Sequence, residues 1–349
     1  MMERDELARL LASRSTVERI QAVQYMVKRR DGAYQDLLLK ALSDKSNYVA
    51  SRAAEALTQV ADGSALRLMR DRFLYLSEEG LKRDPGCEVR AKMAFAFGKH
   101  TFREATEALR IGIRTVQIGP VGGVPFDTGA HLRANCALAL GQMKAPDAIR
   151  DISLLLFEPN DTRHNKVEMR KAAAHALALT CDVNALIPLT LRLAYHTALC
   201  PECGEETELE TPEVLQECMQ AVVALDDERA LELLKPFVSH RNRSLAAFAY
   251  LMIAQTQHPD AARTLFEAVE LFYDNPLQAV LLALASIRTD EAQAYLLELT
   301  RSQRAEVGEI LLAIVDDMPA DHAEVCLKQL AKSAVSKRVR QAALARLKG

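Results

Sequence analysis

What most constrains this chain is an internal recurrence centred on residues 87–100, Cys-Glu-Val-Arg-Ala-Lys-Met-Ala-Phe-Ala-Phe-Gly-Lys-His. It reads as an apolar residue, an arginine, then small and apolar residues at helical spacing, closed by Gly98. The same shape returns as Leu132-Arg133 through Gly141, as Met169-Arg170 through Ala178 and as Val339-Arg340 through Leu347, with a weaker copy from Val49 to Leu57. Self-similarity at a period of about 20–50 residues marks a solenoid, whose repeats pack only on their neighbours while the core grows along one axis. That removes the expectation of several globular domains that 349 residues would otherwise raise. Hydrophobic content of 49% supplies a continuous core, and 5% aromatics without Trp suits helices packed through small residues.

The periodicity predicts ten antiparallel helix pairs: 3–12 with 16–29, 33–43 with 48–61, 64–82 with the organising helix, 101–117 with 131–144, and 147–157 with 166–180. Then come 183–197 with 212–226, 228–239 with 243–256, 259–273 with 276–288, 290–301 with 304–316, and 320–333 with 336–348. Ser15 and Glu18 have capping-box spacing for the second helix. Thr211-Pro212, Asn275-Pro276 and Pro319 are helix starts, because proline at the first helical position loses no hydrogen bond. Residues 1–62 read as N-terminal capping repeats, 63–227 as repeats 3–6 with long connectors, and 228–349 as compact C-terminal repeats. Two connectors stand out: a Gly-rich stretch at 118–129 and a Cys-x-x-Cys insertion at 198–211. The Gly and Pro of the first exclude helix, and it reads as a flexible surface loop. Without a preceding strand or a Gly-Lys-Ser/Thr ending it is no phosphate cradle.

The Val-Arg-x-x-Ala-x-x-Ala-Leu-Gly pattern, with an acid five residues before the Val position, resembles the HEAT repeat, in particular its short bacterial form related to phycobilisome-lyase repeats. Asp44, Asp84 and Asp127 hold that acidic position ahead of Val49, Val89 and Leu132. The resemblance implies an all-α, right-handed solenoid, an Asp–Arg ladder between adjacent repeats, and second helices lining a concave face. Pro188 in the first helix of the sixth pair is similar to the kink of the family's first helices. Repeats 6–9 depart from the pattern by losing the arginine. A fold of this kind does not name a function.

Net charge of −3 and a pI near 6.3 give no global attraction to nucleic acid or an anionic membrane. No segment approaches 18 uncharged apolar residues, so no membrane span is expected. The N-terminus starts acidic without an apolar run, which is not a signal peptide. Seven cysteines, mostly inside helical patterns such as Cys136, Cys181, Cys218 and Cys326, suit a reducing compartment. The expected setting is the cytoplasm.

Cys200-Pro-Glu-Cys203-Gly204 is the sharpest local signal, a knuckle that turns two thiolates toward one ion. With His196 as third ligand and Cys218 as fourth it would close a structural zinc site; a redox dithiol and an inert insertion are the other readings. The eight His form no catalytic set, and none is followed by Glu, so the His-Glu iron motif of deoxyhypusine-hydroxylase-type repeats is missing. His175, among alanines, reads as packed or groove-facing.

Charge, finally, is segregated. The second helices of repeats 3–5 carry Arg90, Lys92, Lys99, Arg133, Lys144, Lys166, Arg170 and Lys171 against Glu88 and Glu168. The next unit reverses sign, with Glu205, Glu206, Glu208 and further acids and no Lys or Arg between 198 and 227. The reading is a non-enzymatic scaffold or adaptor binding another protein across repeats 3–6, through Lys92, Lys99, Lys144, Lys171, His175, Glu205, Glu206 and Glu208. The alternative is an enzyme or enzyme subunit of lyase or DNA-glycosylase type. A compact titratable cluster on the second-helix face would favour the enzyme.

Overall fold

A computed structural model describes residues 2–159, 166–199, 206–271 and 276–348. They form twenty-one α-helices and two short β-hairpins, in two compact units, Met1–Glu217 and Cys218–Gly349. The chain is an all-α solenoid of HEAT-like helix pairs.

In unit 1, α1 (Arg4–Leu11) pairs with α2 (Thr16–Arg29), and α3 (Gln35–Ala41) with α4 (Asn47–Val60). Next come α5 (Gly63–Glu78) and α7 (Glu88–Lys99), separated by the short α6 (Gly80–Arg83). Then α8 (Thr106–Ile113) joins α9 (Ala130–Gln142), α10 (Ala148–Leu156) joins α11 (Val167–Leu179), and α12 (Leu186–Ala194) precedes α13 (Pro212–Leu225). Two layers result. The second helices α2, α4, α7, α9 and α11 pack in succession on one side, and the first helices α1, α3, α5, α8, α10 and α12 on the other. The second-helix layer packs through small residues. A Cβ on Gly98 would lie 2.9 Å from Ala139 Cα, so α7 and α9 meet almost backbone to backbone.

Unit 2 repeats the scheme with α14 (Asp227–Leu234) and α15 (Arg243–Gln255), α16 (Ala261–Leu271) and α17 (Leu277–Ser286), α18 (Asp290–Leu299) and α19 (Ala305–Ile314), then α20 (Ala320–Ser333) and α21 (Lys337–Arg346). Its layers are α16, α18 and α20 against α15, α17, α19 and α21. Phe266 stacks on Tyr295 at 4.5 Å between α16 and α18, and the buried Tyr250 hydroxyl donates to the Val238 carbonyl at 2.7 Å.

The Gly-rich connector is not a loop. Ile118–Val121 (β1) and Val124–Asp127 (β2) form an antiparallel hairpin, turned by Gly122 and Gly123, both at positive φ. A two-residue turn makes Val121 and Val124 a hydrogen-bonded pair, so the next pair, Pro120 and Pro125, has its backbone groups directed outward. Proline there removes no ladder bond, which is why two prolines coexist with strand. A second hairpin, β3 (Thr197–Leu199) with β4 (Glu206–Glu208), flanks the Cys-x-x-Cys stretch. The expected Ser15 capping box is absent: the Ser15 side chain accepts no bond from the helix, and its carbonyl alone accepts from Arg19 N at 3.3 Å. Pro188 falls in the first turn of α12, after a 3-10 turn at Val183–Ala185, where its missing N–H costs nothing.

The connector edge of unit 1 is pinned by a ladder of buried guanidinium groups. Arg90 Nε donates to Asp84 at 3.0 Å, and its Nη2 to Gln117 of the next repeat at 2.9 Å. Arg133 Nη2 bonds Asp127 at 2.8 Å and Glu158 of the next repeat at 3.1 Å. Repeat 2 has Ala50 where the arginine belongs; its Asp44 instead takes Arg19 of repeat 1, at 2.7 Å. Repeat 6 solves the same problem the same way. Gln216 replaces the arginine, and the buried Glu210 accepts from Arg170 of repeat 5 at 2.9 Å and from Arg192. Each arginine thus reaches forward into the following connector.

Burial alone would push the Asp127 carboxyl up. Arg133 and the amides of Gln117 and Gly129 outweigh it and hold the group below the usual carboxylate range.

Candidate functional site on the second-helix face

Four helices of unit 1 each leave one stripe to solvent, at spacings of three and four residues along the helix. On α4 it is Tyr48, Arg52, Glu55 and Gln59; on α7, Glu88, Lys92, Phe95 and Lys99. On α9 it is His131, Asn135, Leu138 and Gln142; on α11, Glu168, Lys171, His175 and Leu179. The interval is the helical repeat itself, since the remaining faces are consumed by the neighbouring helices and the first-helix layer.

The charges of these stripes are largely answered from within the chain. Lys92 lies 4.0 Å from Glu55, which holds Arg52 at 2.6 Å. Lys99 donates to Gln59 at 2.7 Å, Lys171 bonds Glu168 at 3.1 Å, and His175 Nδ1 meets Glu217 at 3.0 Å. Lys166 is turned onto Glu158. Lys144 lies past the end of α9, at φ 48°, on the turn that follows the helix rather than on its stripe. With Arg110, Arg114 and Arg150 it lines a cavity of about 1000 Å³, where Glu107, Asp147, Asp151 and Asp182 balance the four cations.

Of the acids, Glu208 is exposed on β4 and Glu206 sits in the same strand. Glu205 lies outside the described residues. The lysines of the stripes are thus partly neutralised by Glu55 and Glu168.

Two aromatics remain in the stripes without a charged role. Phe95 is 50% exposed and Tyr48 is 47% exposed, with Leu138 on the next helix partly open. Glu88, Lys92 and His131 form a further titratable group, within electrostatic reach of one another across α7 and α9. Partial burial and the Lys92 ammonium lower the His131 pKa, with Glu88 opposing. Sequence reasoning missed both Phe95 and His131, although each sits at the exposed spacing of its helix.

Three of the thiols, Cys87, Cys136 and Cys326, are of the inert kind. Burial raises Cys87 to about 11 against the pull of Arg90, whose Nη2 donates to the sulfur at 3.2 Å. Cys136 is raised as well, and Cys326 to about 12, both by burial.

Cys200 and Cys203 lie outside the described residues. His196 Nδ1 donates to the Leu193 carbonyl at 2.6 Å, and Cys218 is fully buried on α13. Among the described residues no three His, Cys, Asp or Glu side chains gather as metal ligands. The zinc knuckle therefore stays a proposal. Protein purified without chelator is expected to hold about one zinc per chain and Cys203→Ser none, by elemental analysis; metal-free protein of unchanged stability leaves the insertion inert.

No family model matches the chain, and no curated protein does. Solved structures do. The complex of CpcE and CpcF of phycocyanin lyase from Nostoc sp. PCC7120 is similar at 19% identity and TM-score 0.37, covering 87% of this chain and 97% of that one. Human deoxyhypusine hydroxylase is similar at 14% identity and TM-score 0.31, over 86% and 96%. Kap121p bound to Pho4p is similar at 13% identity and TM-score 0.47, over 98% of this chain and 42% of Kap121p. Likeness at this level carries no ligand or residue role across. No helix among the described residues is long and apolar enough to cross a membrane.

Proposed function

We propose that the chain is a protein-binding scaffold, and that unit 1 takes its partner on the second-helix face, between the Tyr48 and His175 stripes and against the connector edge. One observation carries this: Phe95 and Tyr48 stand half-open on adjacent helices among charges already paired with one another. Aromatics of this kind, ringed by polar groups that need no new partner, are what interface hot spots are built from. The paired lysines supply register and steering rather than affinity. The β1–β2 hairpin adds apolar surface at the edge through the exposed Val124 and Phe126.

The enzyme reading keeps one specific support, the exposed His131 within electrostatic reach of Glu88 and Lys92, a grouping with the makings of a general base. A single series separates the two. The partner is captured from the native cell, identified by mass spectrometry, and its affinity measured for Phe95→Ser, Tyr48→Ser and His131→Gln. The scaffold reading expects Phe95→Ser to weaken binding at least tenfold, about 1.4 kcal/mol, with His131→Gln near unchanged. Full affinity in both aromatic variants overturns it. Turnover of the bound partner that disappears in His131→Gln establishes the enzyme instead.

A further inference from the structure

The guanidinium ladder of unit 1 shows what an arginine in this position is given. The connector acids stand five residues before an apolar one: Asp84 before Val89, Asp127 before Leu132 and Glu210 before Leu215. Arg90 and Arg133 bond the acid of their own connector, while Arg19 and Arg170 bond one from the next. Two of them also hold a carbonyl six positions upstream. Arg90 takes that of Asp84 at 3.3 Å, and Arg19 that of Ser13 at 3.0 Å.

In unit 2, Arg340 of α21 makes the same upstream bond. Its Nη1 donates to the Ala334 carbonyl at 2.5 Å and to the Val335 carbonyl at 3.1 Å. What it lacks is the carboxylate. Position 334, five before Val339, is alanine, so the connector acid of this rung is absent. No other acid replaces it: among the described residues Arg340 forms no ion pair, and its Nε and Nη2 have no partner. A partly buried guanidinium with carbonyls alone on one edge keeps its two-pronged carboxylate geometry unused.

The positive charge continues around it. Lys332, Lys337 and Arg338 are exposed and form no ion pair among the described residues. Lys337 and Arg338 stand in the first turn of α21, where the helix dipole disfavours cations and a bound anion would offset them. The acids packed nearby are committed elsewhere. Glu324 holds Lys328 at 2.5 Å, Asp316 holds Arg346 at 3.3 Å, and Glu306 of α19 lies 3.8 Å from Arg304. Neither these nor Glu309 and Asp317 pair with any of the four cations.

The rest of unit 2 decides which anion fits. From 325 to 349 there are seven Lys and Arg and no acid, whereas 218–324 carries 17 Asp and Glu against 8 Lys and Arg. The attractive field is thus confined to one helix pair. A nucleic-acid duplex or a membrane surface would extend over the acidic remainder and be repelled by it. A short acidic stretch of polypeptide would not. No aromatic residue follows Tyr295, so an unpaired base has no platform to stack on. Val335, 46% exposed between Lys332 and Lys337, offers a side chain an apolar contact that a phosphate backbone cannot use.

We infer that the corner from Lys332 to Arg340 is a docking site for an acidic segment of a partner protein, one of whose carboxylates supplies the missing rung on Arg340. Lys332, Lys337 and Arg338 receive the acids that flank it.

The test uses the full chain and a displayed library of random peptides about twelve residues long, enough to span the corner when extended. Selection is made on the wild type and counter-selected on Lys337→Gln/Arg340→Gln. The winners are expected to carry clustered Asp and Glu. A synthetic, fluorescein-labelled winner is expected to bind at least tenfold more weakly to Arg340→Gln, while Arg263→Gln, at an exposed arginine of α16, leaves it unchanged. Ala334→Asp returns the acid to its ladder position. It is expected to melt no lower than the wild type and yet to bind at least tenfold more weakly, since Arg340 is then occupied from within. Winners without Asp or Glu, no enrichment, or full affinity in Arg340→Gln overturn the inference. So does a labelled DNA duplex of about twenty base pairs, or a phosphatidylglycerol vesicle, that the wild type retains and Arg340→Gln does not while no acidic peptide is enriched, because the cations then serve phosphate.

Discussion

Glu210→Ala is expected to lower the stability of unit 1 by about 3–5 kcal/mol, well beyond the loss from breaking any exposed ion pair. The carboxylate is fully buried and accepts from Arg170, itself fully buried, and from Arg192, which is 12% exposed. Removing it leaves two desolvated guanidinium groups without an anion. That costs far more than the ion pair contributes relative to an apolar replacement, because the desolvation of both arginines is no longer offset. Glu210→Gln keeps one carbonyl acceptor and is expected to lose less. Urea unfolding followed by circular dichroism gives the magnitude, and hydrogen exchange at the amides of α11 and α13 assigns it to repeats 5 and 6. A loss below about 1 kcal/mol for Glu210→Ala would mean that the connector relaxes to let water reach the arginines.

The second large effect is a pair of identical substitutions with opposite signs. A Cβ placed on Gly141 would press on the Ala176 carbonyl oxygen and lie 3.1 Å from its carbon and 3.2 Å from its Cα, all in α11 backbone. Backbone cannot swing away as a side-chain end can. Gly141→Ala is therefore expected to cost about 1–3 kcal/mol as α9 and α11 are forced apart. Gly308 in α19 meets nothing closer than 3.8 Å, from Ala334 and Val339 side chains. Gly308→Ala removes only the backbone entropy of glycine in a helix, and stability is expected to rise by about 0.5–1 kcal/mol. Thermal melts of the two variants beside the wild type check both. A rise for Gly141→Ala would show that the α9–α11 contact is looser than the backbone geometry requires.

The helix pairs were legible because apolar spacing and Gly or Pro stops are local signals. The α2, α4 and α11 spans follow from them within a residue or two. The hairpins were not legible, because Pro120 and Pro125 argue against strand unless their place in the register is known, and register is a pairwise property. The pairing of the surface charges was not legible for a related reason. Lys92 and Glu55 are 37 positions apart in sequence, and nothing local announces that they meet across two helices. Glu210 was hidden in an acidic run, although it stands five residues before Leu215, in the same relation that Asp84 has to Val89.

The forward reach of the arginines also bears on how such a chain can change its length. Arg19 and Arg170 find their carboxylates, Asp44 and Glu210, in the following repeat, whereas Arg133 has Asp127 of its own repeat as well as Glu158 of the next. Excising the second helix pair would therefore strand Arg19, whereas Arg90 and Arg133 keep Asp84 and Asp127 whichever neighbour is removed. For Arg19–Asp44 and Arg170–Glu210 the piece that moves intact is the stretch from the arginine to the next connector acid, which straddles two pairs.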